Sequence, residues 1–361
     1  MKVLLVNLGR GWGGGQEQLA DLATELTEQG DTIHFLCRSG SFSVPRLNRL
    51  GFTVNEFNGT IAGVLRTARL IIAEQYDAVL ATREHDLVKI ALAWKLARLA
   101  GTSGRFVMAY HTATSRRQLF ITVPDAIVCI SNYVRNKLLK GNQIDAHRLH
   151  VIHNGIAEEQ ELSEVKFCRN RSRAIFKEAD FPTIGMVGAY FKNQQELVAI
   201  TPQLMTAFPN IRVILLGNRD EPTLLAPLQK QIRALSLEQT VIISEPVERA
   251  RMNEVFADLD LSVSTFRNEG FGLVHLESLA AGTPVVAYDE GGQVDILENS
   301  GAGILVHDGM NEFAKAVIGL LHDDQQRYAM GRKGAELVRT QFSRATMAAA
   351  YRHILSGERA L

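Results

Sequence analysis

The chain has 361 residues, 46% apolar and 22% charged, with 39 basic against 39 acidic side chains and no net charge when histidine is neutral. At roughly 150 residues per domain this length suggests two domains, and the composition excludes a disordered chain. Electroneutrality removes any global reason to bind a polyanion, so no nucleic-acid partner is expected. Short apolar runs alternate with longer amphipathic stretches from the start. Lys2–Leu8 predicts a buried strand; Gln16–Gln29, with Leu19, Leu22, Ala23 and Leu26 at helical spacing, predicts a helix ended by Gly30. Strands are predicted at Thr32–Cys37, Ala78–Ala81, Arg105–Tyr110, Asp125–Ile130 and Leu149–Ile152, and helices at Leu65–Glu74 and Leu87–Ala100. Residues 158–182 are charged and aperiodic and read as a linker. The alternation then restarts. Strands are predicted at Thr183–Val187, Arg212–Leu216, Val241–Ile243, Leu259–Val263 and Pro284–Ala287. Helices are predicted at Gln195–Phe208, Leu224–Leu235, Val274–Ala281, Phe313–Leu321, Gln325–Thr340 and Ala345–Leu355. Helical crossovers between buried strands imply parallel sheets covered on both faces. The fold class is therefore α/β, with two doubly wound Rossmann-like units, each taking ligand at the carboxyl ends of its strands.

Cys37, Cys129 and Cys168 form no C-x-x-C pair, which argues against a zinc or redox motif and fits a reducing compartment. The apolar run at the start stops at Asn7, too short for a signal peptide, and no stretch approaches the ~18 apolar residues of a membrane span. A cytoplasmic protein is expected, at most peripheral at the inner face of the membrane. Arg116, Arg117, Lys137 and Lys140, with Trp12, Phe120 and Tyr133, suggest a weak basic face, against the plainer reading of scattered solvated charge.

Two segments carry chemistry. Gly9-Arg10-Gly11-Trp12-Gly13-Gly14-Gly15 follows a strand, opens a helix and satisfies G-x-G-x-x-G. The acidic residue that would hold a dinucleotide ribose at the end of the next strand is replaced by Arg38, which leaves an NADP reading open beside a tight turn or a phosphate- or sugar-approach loop. The stronger segment runs from Ser264 to Ala287. Glu269 lies in a loop after a strand and Glu277 in the following helix, and Gly270, Phe271, Gly272 and Leu273 between them bring backbone N–H groups to a helix N-terminus. Those groups suit a diphosphate, and the carboxylates suit sugar hydroxyls. From spacing alone, ordinary acidic helix ends explain the pair equally well. His111 ends a strand, where side chains face the ligand end of such a sheet. The histidines form no metal-ligand spacing, and Asp258-Leu259-Asp260 reads as turn or capping residues rather than a metal motif.

These segments resemble the family 4 glycosyltransferases, which have the GT-B fold. The resemblance rests on the E-x-x-x-x-x-x-x-E segment containing Gly270-Phe271-Gly272 and on the Ala280-Ala281-Gly282-Thr283-Pro284 stretch after it. Gly14-Gly15-Gln16-Glu17, Ile130-Ser131, Asn154-Gly155 and Phe342-Ser343 also match. The resemblance implies a retaining, metal-independent transfer of a hexose-type sugar from a nucleotide-diphosphate donor to a glycan, lipid-linked or small-molecule acceptor, with no cofactor. It implies an acceptor domain over 1–165, a donor domain over 176–340 and a returning helix over 341–361, with the two domains facing across a cleft. It places Glu277 on the donor ribose, Glu269 at the donor sugar with Gly270 in the same donor-binding loop, and the N–H groups of Phe271, Gly272 and Leu273 at the phosphates or neighbouring sugar. Lys192 would face the diphosphate, His111 the reacting sugar, and Gly13, Gly14 and Gly15 an acceptor or phosphate. The sequence departs from the pattern at Ala189, where the family's arginine is expected before Lys192; Arg219, Arg267 or an arginine of the first domain would have to replace it. That departure keeps a nucleotide-sugar-binding protein without catalysis in play. The NADP-dependent dehydrogenase also remains, and a nucleotide-sugar epimerase would need acid–base carboxylates not identified here.

Overall fold

The computed structural model describes residues 1–157, 175, 181–217 and 222–357. Most of the expected linker 158–182, with Cys168 and Arg219, lies outside these residues. The chain divides into two compact units, Met1–Ala157 with Phe342–Leu361, and Glu158–Gln341. No helix of the described residues is long and apolar enough to cross a membrane.

The first unit runs β1 (Lys2–Asn7), α1 (Gly14–Glu28), β2 (Thr32–Arg38), α2 (Ser43–Arg49), β3 (Thr53–Phe57), α3 (Ile61–Glu74) and β4 (Ala78–Ala81). It continues with α4 (Leu87–Leu99), β5 (Arg105–Tyr110), β6 (Ala126–Cys129), α5 (Asn132–Gly141) and β7 (Leu149–Val151). The sheet order is β3-β2-β1-β4-β5-β6-β7, with every pairing parallel. Central strands read as continuous apolar runs because both faces are covered: Val3, Leu4, Leu5 and Val6 are all fully buried. Helix α1 buries Leu19, Leu22, Ala23 and Leu26 along one stripe. Its N-terminus has no side chain at Gly13 to cap it, and Gln16 Oε1 instead accepts the Gly13 N–H at 3.1 Å.

The second unit runs β8 (Thr183–Val187), α6 (Gln194–Ala207), β9 (Arg212–Leu216), α7 (Pro222–Ala234), β10 (Val241–Ile243), α8 (Met252–Asp258) and β11 (Leu261–Ser264). It closes with α9 (Leu273–Ala280), β12 (Val285–Tyr288), α10 (Val294–Leu297), β13 (Gly303–Val306), α11 (Gly309–His322) and α12 (Asp324–Gln341). The order β10-β9-β8-β11-β12-β13 is again wholly parallel. Asp258 and Asp260 bind backbone: their carboxylates accept the N–H groups of Ile175 at 2.5 Å and Thr183 at 2.7 Å.

The last helix, α13 (Arg344–Ser356), belongs to the first unit. Ser343 Oγ caps it by accepting the Thr346 N–H at 3.1 Å. Met347, Ala348, Tyr351, Ile354 and Leu355 are buried in the same core as β1 and α1. A parallel bridge pins its start: Ile156 N–H donates to Phe342 O at 2.9 Å and Arg344 N–H to Ile156 O at 3.0 Å.

Candidate active site

In each sheet the strand order reverses once, between β1 and β4 and between β8 and β11. The crevice outside the carboxyl ends at such a point is where doubly wound sheets take ligands. The candidate residues fall into these two places, one per unit.

In the second unit the loop after β8 turns tightly, with Lys192 N–H donating to Ala189 O at 3.0 Å. The turn brings Lys192 Nζ to Glu269 Oε2 in the loop after β11, at 2.6 Å. The two side chains are only 19% and 14% exposed, so water screens their attraction less than on an open surface. Glu269 Oε1 accepts the Gly270 N–H at 3.2 Å. Helix α9 starts from Gly272, whose φ of +111° favours glycine, and where a Cβ would lie 2.4 Å from His275 Cδ2. In the first turn of α9 the N–H groups of His275 and Leu276 turn back to Gly272 O at 2.9 and 3.3 Å, while those of Leu273 and Val274 precede these bonds at the partly positive end of the helix. Glu277 lies one turn beyond Leu273 on the same side of α9 and forms an ion pair with Arg249, from the segment after β10.

Two supports hold this loop. Gly292 N–H donates to Glu269 O at 2.7 Å, and a Cβ on Gly292 would sit 2.2 Å from Gly270 O, so the two loops touch backbone to backbone. On the other side Glu196 accepts from Arg267 Nη1 at 3.0 Å, Arg267 Nη2 at 3.2 Å and Tyr288 Oη at 2.5 Å. The Arg267 guanidinium stacks 3.6 Å from the Tyr288 ring centroid. Burial alone would raise the Glu196 carboxyl; the bonds from Arg267, Tyr288 and Asn193 outweigh it and hold the group below its usual range. Arg267, one of the arginines expected to replace the one missing at Ala189, is thus engaged by Glu196 in this structure. Beneath the loop, His275 is 1% exposed, and burial lowers its pKa to about 4. Neither ring nitrogen has a partner of good geometry, although Gln293, itself with an unpaired Oε1, is the polar side chain beside it.

In the first unit Asn7 ends β1 and ties the glycine loop to β4. Its Oδ1 accepts the Gly9 N–H at 3.0 Å, and its Nδ2 donates to Thr82 Oγ1 at 3.1 Å. A cavity of about 360 Å³ opens here, lined by Asn7, Gly15, Gln16, residues 82–85 and Tyr110–Thr112. Three polar atoms of its lining residues are enclosed without a hydrogen-bond partner: Glu84 Oε2, Tyr110 Oη and His111 Nε2. His111 is partly exposed as a residue while Nε2 is enclosed, and burial lowers its pKa to about 4, leaving a neutral imidazole at neutral pH. A Cβ on Gly9 would press within 2.8 Å of Arg83 Nη1, whereas one on Gly15 would meet nothing. Gly9 is therefore fixed by its own neighbours, whereas a side chain at Gly15 would meet only open space.

Lys192, Glu269, Gly270, Phe271, Gly272, Leu273 and Glu277 therefore gather in one place, the Phe271 side chain being buried in the core. Gly15 and His111 share the other cavity, with Gly13 and Gly14 at the start of α1. Arg249, Glu196, Tyr288 and Glu84 were not foreseen. No local spacing announces Arg249 or Glu196; Glu84 and Tyr110 follow from the strand-end rule that singled out His111. Among the described residues no three histidine, cysteine or carboxylate side chains group as metal ligands.

Residues 169–337 match the family described as "Glycosyl transferases group 1", and residues 12–160 match "Glycosyltransferase Family 4". An alpha-maltose-1-phosphate synthase of Mycolicibacterium smegmatis is 24% identical over 277 residues, 71% of this chain and 67% of that protein. A D-inositol 3-phosphate glycosyltransferase of Xylanimonas cellulosilytica is 26% identical over 277 residues, 75% of this chain and 64% of that protein. The chain thus spans about two thirds of the length of these relatives. The crystal structure of Anabaena HepE in complex with UDP and glucose superposes with a TM-score of 0.80 at 21% identity, covering 99% of this chain and 100% of that one. With the fold shared along its length and a family match in each unit, this chain belongs to the family 4 glycosyltransferases of GT-B fold.

Proposed function

We propose that the protein transfers a hexose-type sugar, with retention at the anomeric carbon and without a metal ion, from a nucleotide-diphosphate donor to a hydroxyl of a glycan, lipid-linked or small-molecule acceptor. The observation that carries this reading is the Lys192–Glu269 pair, 2.6 Å apart beside the N-terminus of α9, with Glu277 one turn further on. In the reaction the bond between the anomeric carbon and the diphosphate oxygen breaks, its electron pair leaving with the diphosphate. The acceptor oxygen forms the new bond, and its proton passes to the departing phosphate. Charge grows on the leaving group, and in this reading Lys192 and the N–H groups at the start of α9 receive it. Glu269 accepts from donor-sugar hydroxyls, and Glu277 accepts from the ribose hydroxyls, which displace or share it with Arg249. In the first unit neutral His111 bonds a sugar hydroxyl, and Gly13 to Gly15 line the approach of the acceptor or a phosphate.

HepE, a protein of the same fold, is described with UDP and glucose, which makes UDP-sugars the first donors to test. A panel of nucleotide sugars is incubated with glycoside, polyol and lipid-linked acceptors, and release of the nucleoside diphosphate is followed. Donor-dependent release that rises with one acceptor class and falls on Glu269→Gln supports the reading; no release from any donor refutes it. Ala189, together with the commitment of Arg267 to Glu196, favours a second reading, a protein that binds the donor without transferring it. That reading expects UDP affinity with neither transfer nor slow donor hydrolysis.

A further inference from the structure

We infer that Glu84 makes the cavity of the first unit select a polyhydroxyl ring whose bound edge is uncharged, and reject one that carries an acidic group there. This deepens the acceptor clause of the proposed function and rests on it only in taking the cavity as the acceptor's place. β4 ends at Ala81, Thr82 N–H donates to Val6 O at 3.2 Å, and Glu84–Asp86 follow as one tight helical turn. That turn is pinned at its end. The buried Asp86 carboxylate accepts the Leu8 N–H at 3.1 Å, and the Asp86 N–H donates to Arg83 O at 3.0 Å. β5 runs parallel beside β4, so Tyr110 and His111 arrive at the same end of the sheet. Glu84, Tyr110 and His111 thus line one cavity of about 360 Å³.

The polar atoms of these three side chains are not used by the fold. Glu84 Oε2, Tyr110 Oη and His111 Nε2 are enclosed without a hydrogen-bond partner, and Tyr110 is only 1% exposed. Glu84 Oε1 lies 3.6 Å from Nε2 of the exposed His85. Arg83, the cation of the same loop, lies against Gly9, where its Nη1 would stand 2.8 Å from a Cβ, and among the described residues it forms no ion pair with Glu84. Burial first, and then the Glu84 charge, push the Tyr110 hydroxyl up, so it stays protonated in the field of the carboxylate. An enclosed carboxylate oxygen without a donor is a cost to the fold and not a support. An ionised carboxylate only accepts hydrogen bonds, whereas a phenol or a neutral imidazole can donate or accept. Neighbouring hydroxyls on one ring edge complete such a set: one donates to Glu84 Oε2, and the next meets Tyr110 Oη, with His111 Nε2 beside them. A carboxylate or phosphate on that edge would bring acceptors and a second negative charge against Glu84, leaving Oε2 without a donor.

The test is saturation-transfer NMR titration of the full chain, without any nucleotide sugar, with methyl glucopyranoside and methyl glucuronopyranoside. These sugars differ only in a hydroxymethyl group against a carboxylate. Wild type should bind the glucoside, at millimolar concentration, at least about tenfold more tightly than the glucuronoside. Glu84→Gln should weaken the glucoside about tenfold, the loss of a hydrogen bond to a charged group, and bring the two sugars within about threefold of each other. Tyr110→Phe should weaken the glucoside about threefold and keep the preference for it. Neither substitution takes a partner from the fold, so both variants should unfold at or above the wild-type temperature. No binding of the glucoside, equal wild-type affinity for the two sugars, or a preference unchanged in Glu84→Gln would overturn the inference. So would a Glu84→Gln protein that loses thermal stability, the mark of a structural carboxylate. Transfer is not read. Glucoside binding through Glu84 in a protein that releases nucleotide from no donor would sink the proposed function and keep this site, and a transferase without this preference would do the reverse.

Discussion

Lys192→Met isolates the contact on which the candidate donor site depends. Nζ and Glu269 Oε2 are 2.6 Å apart with side chains 19% and 14% exposed. Breaking a fully buried pair from one side costs about 3–5 kcal/mol, and breaking an exposed pair costs about 0.2–1 kcal/mol. This pair lies between, so the substitution should destabilise the second unit by roughly 2 kcal/mol, chiefly by leaving the Glu269 carboxylate without its cation. Removing both charges should recover much of the loss, since Glu269→Gln leaves an amide that still accepts the Gly270 N–H. The assay is urea unfolding of wild type, Lys192→Met, Glu269→Gln and the double variant, following the transition of the second unit alone because two compact units need not unfold together. The same four proteins are then unfolded with excess UDP, whose stabilisation reports nucleotide affinity. Lys192→Met should lose most of the UDP-induced shift and Glu269→Gln should keep most of it, because the proposed function sets the lysine at the diphosphate and the glutamate at the sugar. Additive stability losses, or an undiminished UDP shift in Lys192→Met, would refute this reasoning.

Other outcomes follow from the same geometry. Glu277→Ala should weaken UDP binding by about 1.5–3 kcal/mol, the range for hydrogen bonds to a charged group, while stability changes little because Arg249 is 62% exposed; calorimetric titration with UDP checks this. His275 titrates at about 4 in the folded chain because burial disfavours its cation, against about 6.5 when unfolded. The unfolded state therefore binds more protons as pH falls. The stability is complete above pH ~6.5 and is lost between there and pH ~4, by roughly 3 kcal/mol. His275→Leu should flatten the second unit's transition over that window. Tyr351, 2% exposed in the core of the first unit, should cost that unit about 3–5 kcal/mol on Tyr351→Ala, as aromatic-to-alanine core changes do, with UDP affinity unchanged by fluorescence titration.

The alternation of apolar runs and amphipathic stretches revealed both sheets because central parallel strands such as Val3–Val6 and Ala78–Ala81 are buried on both faces. The short elements escaped it. α2, α8 and α10 span seven, seven and four residues, too few for a helical period to repeat. β3 and β13 lie at sheet edges, where burial is partial and the apolar run breaks, as at Asn55 and Glu56. α8 ends at Asp258, and the strand expected over Leu259–Val263 runs from Leu261 to Ser264. At the candidate donor site the residues close in sequence, Glu269 to Glu277, were legible as a group, and Lys192, which the structure brings to Glu269, was picked out through the family pattern. The supports were not: Glu196 meets Arg267 across 71 positions and Arg249 meets Glu277 across 28, and only the packing of one loop on another brings such pairs together. Of the arginines offered in place of the guanidinium missing at Ala189, namely Arg219, Arg267 or one of the first domain, Arg219 lies outside the described residues, and no sequence spacing disclosed the engagement of Arg267 by Glu196 and Tyr288.

Hydrogen exchange of the full chain with and without UDP tests the central claim most directly, because it locates the nucleotide without presupposing donor sugar or acceptor. The account predicts protection in the turn of residues 188–193, in the loop and first turns of α9 over residues 269–277, and around Arg249. Protection centred instead on the glycine loop of residues 9–15 and on Arg38, with the second unit unaffected, would contradict it.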